Sequence, residues 1–254
     1  MTEVPAGDEI ARFYEHHPYP PPVADLDEYR TAWTDARRRE ETLRLWPDGS
    51  VGEARTILVA GCGTAQAAKY AVRYPRSRVV GIDVSRSSIG ETRRLIGQHG
   101  LTNIEVHQLP IERAAELGAT FDQVVCTGVL HHLADPDVGL AALASVVRPG
   151  GALEAMVYAP YGRTGVYLLQ EYCRLAGVTP SAGEVDDLVA VLSELPPGHP
   201  LSHLLRDTPD FGDRDALADA LLNPRDRAYS VPDLMEFVER ASLRFSRWVR
   251  EAPY

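Results

Sequence analysis

A chain of 254 residues, 44% of them apolar, is long enough for one α/β core with additions. Its formal charge of −10 argues against a broad surface for nucleic acid or anionic membrane. The N-terminus MTEVPAGDEIARFYEHHPYPPP lacks the apolar stretch of a signal peptide, and no apolar run reaches membrane-spanning length. Three cysteines (Cys62, Cys126, Cys173) inside core elements read as reduced thiols, so a cytoplasmic location is expected.

Residues 8–17 predict a short helix with Ile10, Phe13 and Tyr14 on one face. HPYPPP (His17 to Pro22) must then be extended, because consecutive prolines exclude helix. Residues 26–46 read as mainly helical. Strands are expected at 57–60, 78–82, 104–107, 122–126 and 151–158, with helices at 65–74, 86–99, 112–117 and 136–147 between them. That alternation implies a parallel sheet covered by helices on both faces. Helices follow at 165–177, 184–195 and 213–222, with a long loop before the last. A helix at 231–241 enters through Pro232, and LRFSRWV (243–249) alternates as a closing strand.

The chemistry begins at TILVAGCGT. An apolar run ends in a turn built on Gly61 and Gly63, which lack the Cβ atoms that would keep a ligand from the backbone. The next strand ends in Asp83, 22 residues after Gly61, where a carboxylate can accept the hydroxyls of a ribose. Ser85 is the better cap for the following helix, which leaves Asp83 for the ligand. A dinucleotide fingerprint needs a third glycine, and Ala65 and Gln66 stand where it is expected.

AGCGT, GIDVS, FDQVVCTGVLHHLADP and VVRPGGAL occur in the order and spacing of the class I S-adenosylmethionine-dependent methyltransferases, which residues 51–160 resemble. YEHHPYP is similar to the Tyr-Glu-x-x-Pro-Tyr-Pro segment that precedes some bacterial domains of this family. The resemblance implies a doubly wound, mostly parallel, Rossmann-like α/β sheet of seven strands. It divides the chain into an N-terminal lid (1–50), a cofactor-binding core (51–180), a helical insertion over the substrate (181–229) and a closing helix and strand (230–254). It implies S-adenosyl-L-methionine as cofactor and S-adenosyl-L-homocysteine as product. Gly61, Cys62, Gly63, Gln66, Asp83, Val84, Leu109, Pro110, Ile111, Thr127, Gly128, Val129 and His132 fall at cofactor positions, covered by Tyr14 and Tyr19 from the lid. Two acids common in the family are missing, at the positions of Val59 and of Pro110. Tyr14, Tyr19 or Gln66 are the candidates to compensate for the first, and Leu109 and Ile111 to hold the adenine by apolar contact.

His131 or His132 is the candidate general base, since imidazole titrates near neutrality. No metal is expected, because adjacent histidines rarely share one ion. His17, Tyr158, Tyr161, Arg163 and Tyr167 are the candidate substrate contacts, with Arg163 suited to a carboxylate or phosphate. The expected reaction is methyl transfer to the oxygen, nitrogen or carbon of a small molecule. No nucleic-acid or membrane partner is expected, and monomer and homodimer stay open. So do a protein or peptide methyltransferase, a non-catalytic cofactor-binding module and an NAD-linked oxidoreductase.

Overall fold

The computed structural model describes residues 9–196, 198–207, 211 and 213–249. A five-stranded, wholly parallel sheet of order β3-β2-β1-β4-β5 forms its centre. The strands are β1 (Thr56–Ala60), β2 (Arg78–Asp83), β3 (Ile104–Gln108), β4 (Phe121–Thr127) and β5 (Val147–Met156). The chain winds outward from β1 through β2 to β3, then returns to β4 on the other side of β1. A crevice opens at that reversal, at the carboxyl ends of β1 and β4.

Alternation along the strands decides which helices they bury. Ile57, Val59, Val79 and Val125 pack with Ala67, Tyr70 and Ala71 of α4 (Gln66–Arg73) and Ile89 of α5 (Arg86–His99). Leu58, Ala60, Val80, Ile82 and Val124 pack with Leu140 and Leu143 of α6 (Pro136–Ser145), and with Phe237 of the late helix Val231–Arg240. Both faces are covered, so β1 reads as an unbroken apolar run. Each of its large side chains contributes about 1.5–3 kcal/mol through burial.

Before the sheet come α1 (Glu9–His16), α2 (Asp27–Thr31) and α3 (Asp35–Leu45). After β5 come α7 (Thr164–Ala176), α8 (Ala182–Ser193), α9 (Ser202–Asp207), α10 (Arg214–Leu222) and α11 (Val231–Arg240). Phe13 of α1 joins a separate apolar cluster with Val166, Leu169, Val185, Leu188, Leu217 and Leu221. The first helix is therefore packed with the late helices, across most of the sequence. None of the helices among the described residues is long and apolar enough to cross a membrane.

Two expectations are corrected. The sheet has five strands among the described residues, against the seven expected. The segment 243–249 makes no strand. Leu243 packs half-buried against the core, while Arg44 of α3 donates to the Val249 carbonyl at 3.0 Å and Arg247 donates to the Arg44 carbonyl at 2.8 Å. Contacts to α3 stand where a sheet neighbour was expected.

The extended HPYPPP segment lies against the glycine turn. A Cβ on Gly63 would stand 2.8 Å from the Tyr19 carbonyl oxygen and 2.9 Å from Pro20 Cδ, and φ there is +53°. Thr64 Oγ1 donates to the Pro20 carbonyl at 2.7 Å. Gly63→Ala should therefore cost more than the roughly 1–3 kcal/mol of a strained backbone alone. Gly118→Ala, also at positive φ but with nothing within 4 Å, is the control. Urea midpoints should fall further for the first than for the second; equal shifts would remove the packing argument.

Candidate active site

The turn after β1 is held by β2: the amides of Gly61 and Cys62 both donate to the Ile82 carbonyl, at 2.8 and 3.0 Å. One residue on, Asp83 accepts the Gly63 amide at 2.8 Å on one carboxylate oxygen and the Ser85 amide at 2.9 Å on the other. Ser85 caps α5, as expected, by accepting from the Ser88 amide. Asp83 is thus engaged by backbone amides before any ligand arrives, but a carboxylate offers about four lone-pair sites, more than these amides take up. Burial pushes its pKa up, against the lowering pull of the Ser85 and Gly63 amides.

A cavity of about 920 Å³, counted to its open mouth, stands over this turn. Gly61, Gly63, Gln66, Asp83 and Val84 line one side. Leu109 and Ile111 form an apolar wall, and Thr127, Gly128, Val129 and His132 close the far end. Tyr14 and Tyr19 face it from the N-terminal segment. The residues brought together thus include most of those marked from the sequence.

Cys62 and Pro110 do not join them. The Cys62 side chain is fully buried beside Gly81, and burial with the Asp83 charge holds its thiol well above the ordinary range, so it is no nucleophile. Val59, at the position of the first missing acid, is fully buried in the core. Sequence reading missed Ile10, Pro20, Ser88, Glu112, Leu133, Ala134 and Arg225. Glu112 restores an acid to the third-strand exit, two residues beyond Pro110. Its signal was present and was sought too early. Arg225 has none, since it comes 93 residues after His132.

The expected substrate contacts are not at the cavity wall. His17 is fixed between Asp215 Oδ1 at 2.9 Å and the Pro180 carbonyl at 2.8 Å. Arg163 lies over the Tyr158 ring, 3.5 Å from its centroid, and meets Asp226 at 3.2 Å, so its charge is already answered. Tyr167 titrates higher than an ordinary tyrosine, by burial and then the Asp226 charge. Tyr161 is 88% exposed. Asp135 caps α6 by accepting from the Asp137 and Val138 amides.

The adjacent histidines have different fates. His132 directs Nδ1 at the Arg225 carbonyl, which can only accept, so Nδ1 carries the proton. In the neutral ring Nε2 is then the lone pair, and it has no partner among the described residues. His131 packs between His132 and Tyr158, ring centroids 4.1 and 3.9 Å away, and neither of its ring nitrogens has a partner among the described residues. Burial, then the His132 and Arg163 charges, lowers its pKa to about 2. Of the two candidate bases, only His132 reaches the cavity.

That burial has a stability consequence. Below about pH 6.5 the unfolded chain binds a proton at His131 that the native chain refuses until about pH 2. Native stability therefore falls as pH falls through this window, by up to about 1.4 kcal/mol per pH unit from this group. His131→Phe keeps a ring and removes the unpaired N–H, which costs about 1–3 kcal/mol when buried. The variant should unfold at higher urea than wild type, with the gap widening from pH 7.5 to pH 5. A constant or reversed gap would refute the assignment.

Residues 58–153 match the family model described as a methyltransferase domain. An uncharacterized protein, syc1184_c, of Synechococcus sp. is 31% identical over 93% of this chain and 58% of its own length. Ubiquinone biosynthesis O-methyltransferase of Acinetobacter baumannii is 28% identical over 56% of this chain and 55% of its own. The chain thus spans little more than half of these relatives. Among solved structures, PKMT2 from Rickettsia typhi shares the fold with a TM-score of 0.57 at 22% identity, over 75% of this chain and 38% of that one. Its complex with AdoHcy gives 0.54 at the same identity, over 74% and 38%. By the matched family model, the sheet and the cavity at its switch point, residues 58–153 form a methyltransferase domain.

Proposed function

We propose that this protein transfers a methyl group to a hydroxyl oxygen of a small molecule, with His132 taking the hydroxyl proton on Nε2. One observation carries the reading: a single cavity is lined by Asp83, the glycine turn and His132, whose Nε2 is buried without a hydrogen-bond partner among the described residues. The residues present fit the cofactor. Asp83 keeps lone pairs for the ribose hydroxyls, Leu109 and Ile111 offer an apolar slot for a purine, and Glu112 adds an acid at its edge. When bound, S-adenosylmethionine supplies an electrophilic methyl group.

The protein's own work is alignment, exclusion of water and removal of one proton. Helix α1 and the late helices α7, α8 and α10 share a core, and we assign them together as the cover of the site. A covered cavity suits a small acceptor better than a polypeptide. A hydroxyl needs a base in a way that a neutral amine does not, and a bare imidazole nitrogen supplies one. The O-methyltransferase name of the Acinetobacter relative agrees with that choice.

Calorimetric titration with S-adenosylhomocysteine tests the cofactor end. Asp83→Ala should weaken binding by about tenfold to a hundredfold, the loss of charge-assisted hydrogen bonds. Unchanged binding in a folded variant would refute the Asp83 role. At the acceptor end, His132→Gln should bind S-adenosylhomocysteine as wild type does. Radiolabelled methyl transfer to a panel of phenols and hydroxy acids should fall by about 10²–10⁴ in that variant, the usual contribution of a base. Retained turnover would eliminate the base.

A further inference from the structure

Helix α10 ends at Asn223 because Pro224 follows: a residue before proline is pushed out of the helical region, and Asn223 stands at φ −58°, ψ 127°. Its side chain then reaches in both directions. Asn223 Oδ1 accepts the Arg225 amide at 3.1 Å. Asn223 Nδ2 donates to Tyr14 Oη and to Asp219 Oδ1, each at 3.0 Å. Tyr14 Oη in turn donates to Asp219 Oδ1 at 2.8 Å, closing a three-membered ring of hydrogen bonds between α1 and α10. The next main-chain group along, the Arg225 carbonyl, accepts the Nδ1 proton of His132.

We propose that Asn223 is a positioning residue: it braces the Arg225 main chain so that His132 keeps its proton on Nδ1 and leaves Nε2 bare, and it ties that state to the seating of α1 through Tyr14. The proposal rests on His132 being the proton acceptor. Its physical basis is the inventory of donors. An isolated neutral imidazole can carry its proton on either nitrogen, so a carbonyl aimed at Nδ1 selects the tautomer. The Arg225 amide and carbonyl lie in successive peptide planes. Asn223 fixes the first of them, which leaves only the rotations at Arg225 itself between that anchor and the carbonyl that faces His132.

The Tyr14 arm adds the link to the cofactor. Tyr14 lines the cavity, and its ring lies 6.4 Å from that of His132. Burial and the Asp219 charge hold its pKa well above the ordinary range, so it stays a donor to Asp219. With α1 seated, one hydroxyl, one amide and one carboxylate are satisfied together. With α1 displaced, Asp219 and Asn223 lose a partner in a buried place. The loop is separately pinned where the Arg227 amide donates to the His131 carbonyl at 3.1 Å, so removing Asn223 leaves the loop in position while unbracing Arg225.

The test needs no acceptor. Full-length protein with ¹⁵N-labelled histidine is followed by long-range ¹H–¹⁵N correlation at pH 8, with and without S-adenosylhomocysteine, and His132→Gln identifies the His132 signals. Wild type should show a protonated Nδ1 and a pyridine-like Nε2. Asn223→Ala should lose that signature, a protonated Nε2 appearing in its place, and should bind S-adenosylhomocysteine several-fold more weakly. Asn223→Asp keeps the acceptor for the Arg225 amide but loses both donors, so it should keep the signature and still bind more weakly. Tyr14→Phe, which leaves Asn223 and Arg225 intact, should behave like Asn223→Asp, and it serves if the alanine variant does not fold. The proposal is overturned if Asn223→Ala keeps the Nδ1 proton, or if Asn223→Asp or Tyr14→Phe loses it. Full turnover by His132→Gln would sink the base while leaving the tautomer result readable on its own.

Discussion

The structure depends on the absence of two Cβ atoms in the turn after β1. At Gly61, an added Cβ would stand 2.3 Å from Val129 Cγ2; at Gly63 it would meet the Tyr19 carbonyl. The turn is therefore where three distant parts of the chain close on one another: the exit of β4, the extended N-terminal segment and the tip of β2. Thr92 of α5 adds a fourth by donating to the Gly63 carbonyl at 3.0 Å. Sequence logic assigns these glycines to a ligand's approach. The packing shows a second use, since protein already fills the space that their side chains would occupy. The two uses agree, because the same closeness that seats the strap brings Tyr14 and Tyr19 over the cavity.

The core was legible because burial on both faces leaves a local trace. Ile57 to Ala60 and Val79 to Ile82 are apolar without interruption, and the glycines and caps between elements sit at the ends that backbone geometry demands. Ser85 was readable as punctuation before a helix for the same reason. The closing strand failed because alternation records only that one face is buried. Leu243 packs half-buried against the core, but a strand also needs a neighbour with unpaired backbone groups in reach, and no local pattern encodes one. Arg44, nearly two hundred residues earlier, supplies the contacts in its place.

The site divides along the same line. Asp83, Leu109 and Thr127 follow strands and could be placed by counting. Arg225, Asp219 and Asn223 arrive from beyond residue 200, outside the matched domain, and only the packing of α1 with α10 brings them to His132. Arg163 shows the opposite error. An arginine beside the crevice reads as an anion contact, yet Asp226 and the Tyr158 ring occupy its guanidinium, and neither partner can be paired with it from sequence.

The paired histidines make the same argument in miniature. Both are buried, and they are neighbours in the chain, so composition and burial give them one description. What separates them is a single carbonyl. His132 has one to donate to, and this fixes where its remaining lone pair points. His131 has none among the described residues, so burial first, and then the His132 and Arg163 charges, keep it neutral. A base in a water-poor cavity needs both a lone pair in the right direction and a partner that steadies the proton it already holds. The loop after α10 provides that partner from outside the matched domain, so the part of the chain least readable from its sequence does the most to make one histidine different from the next.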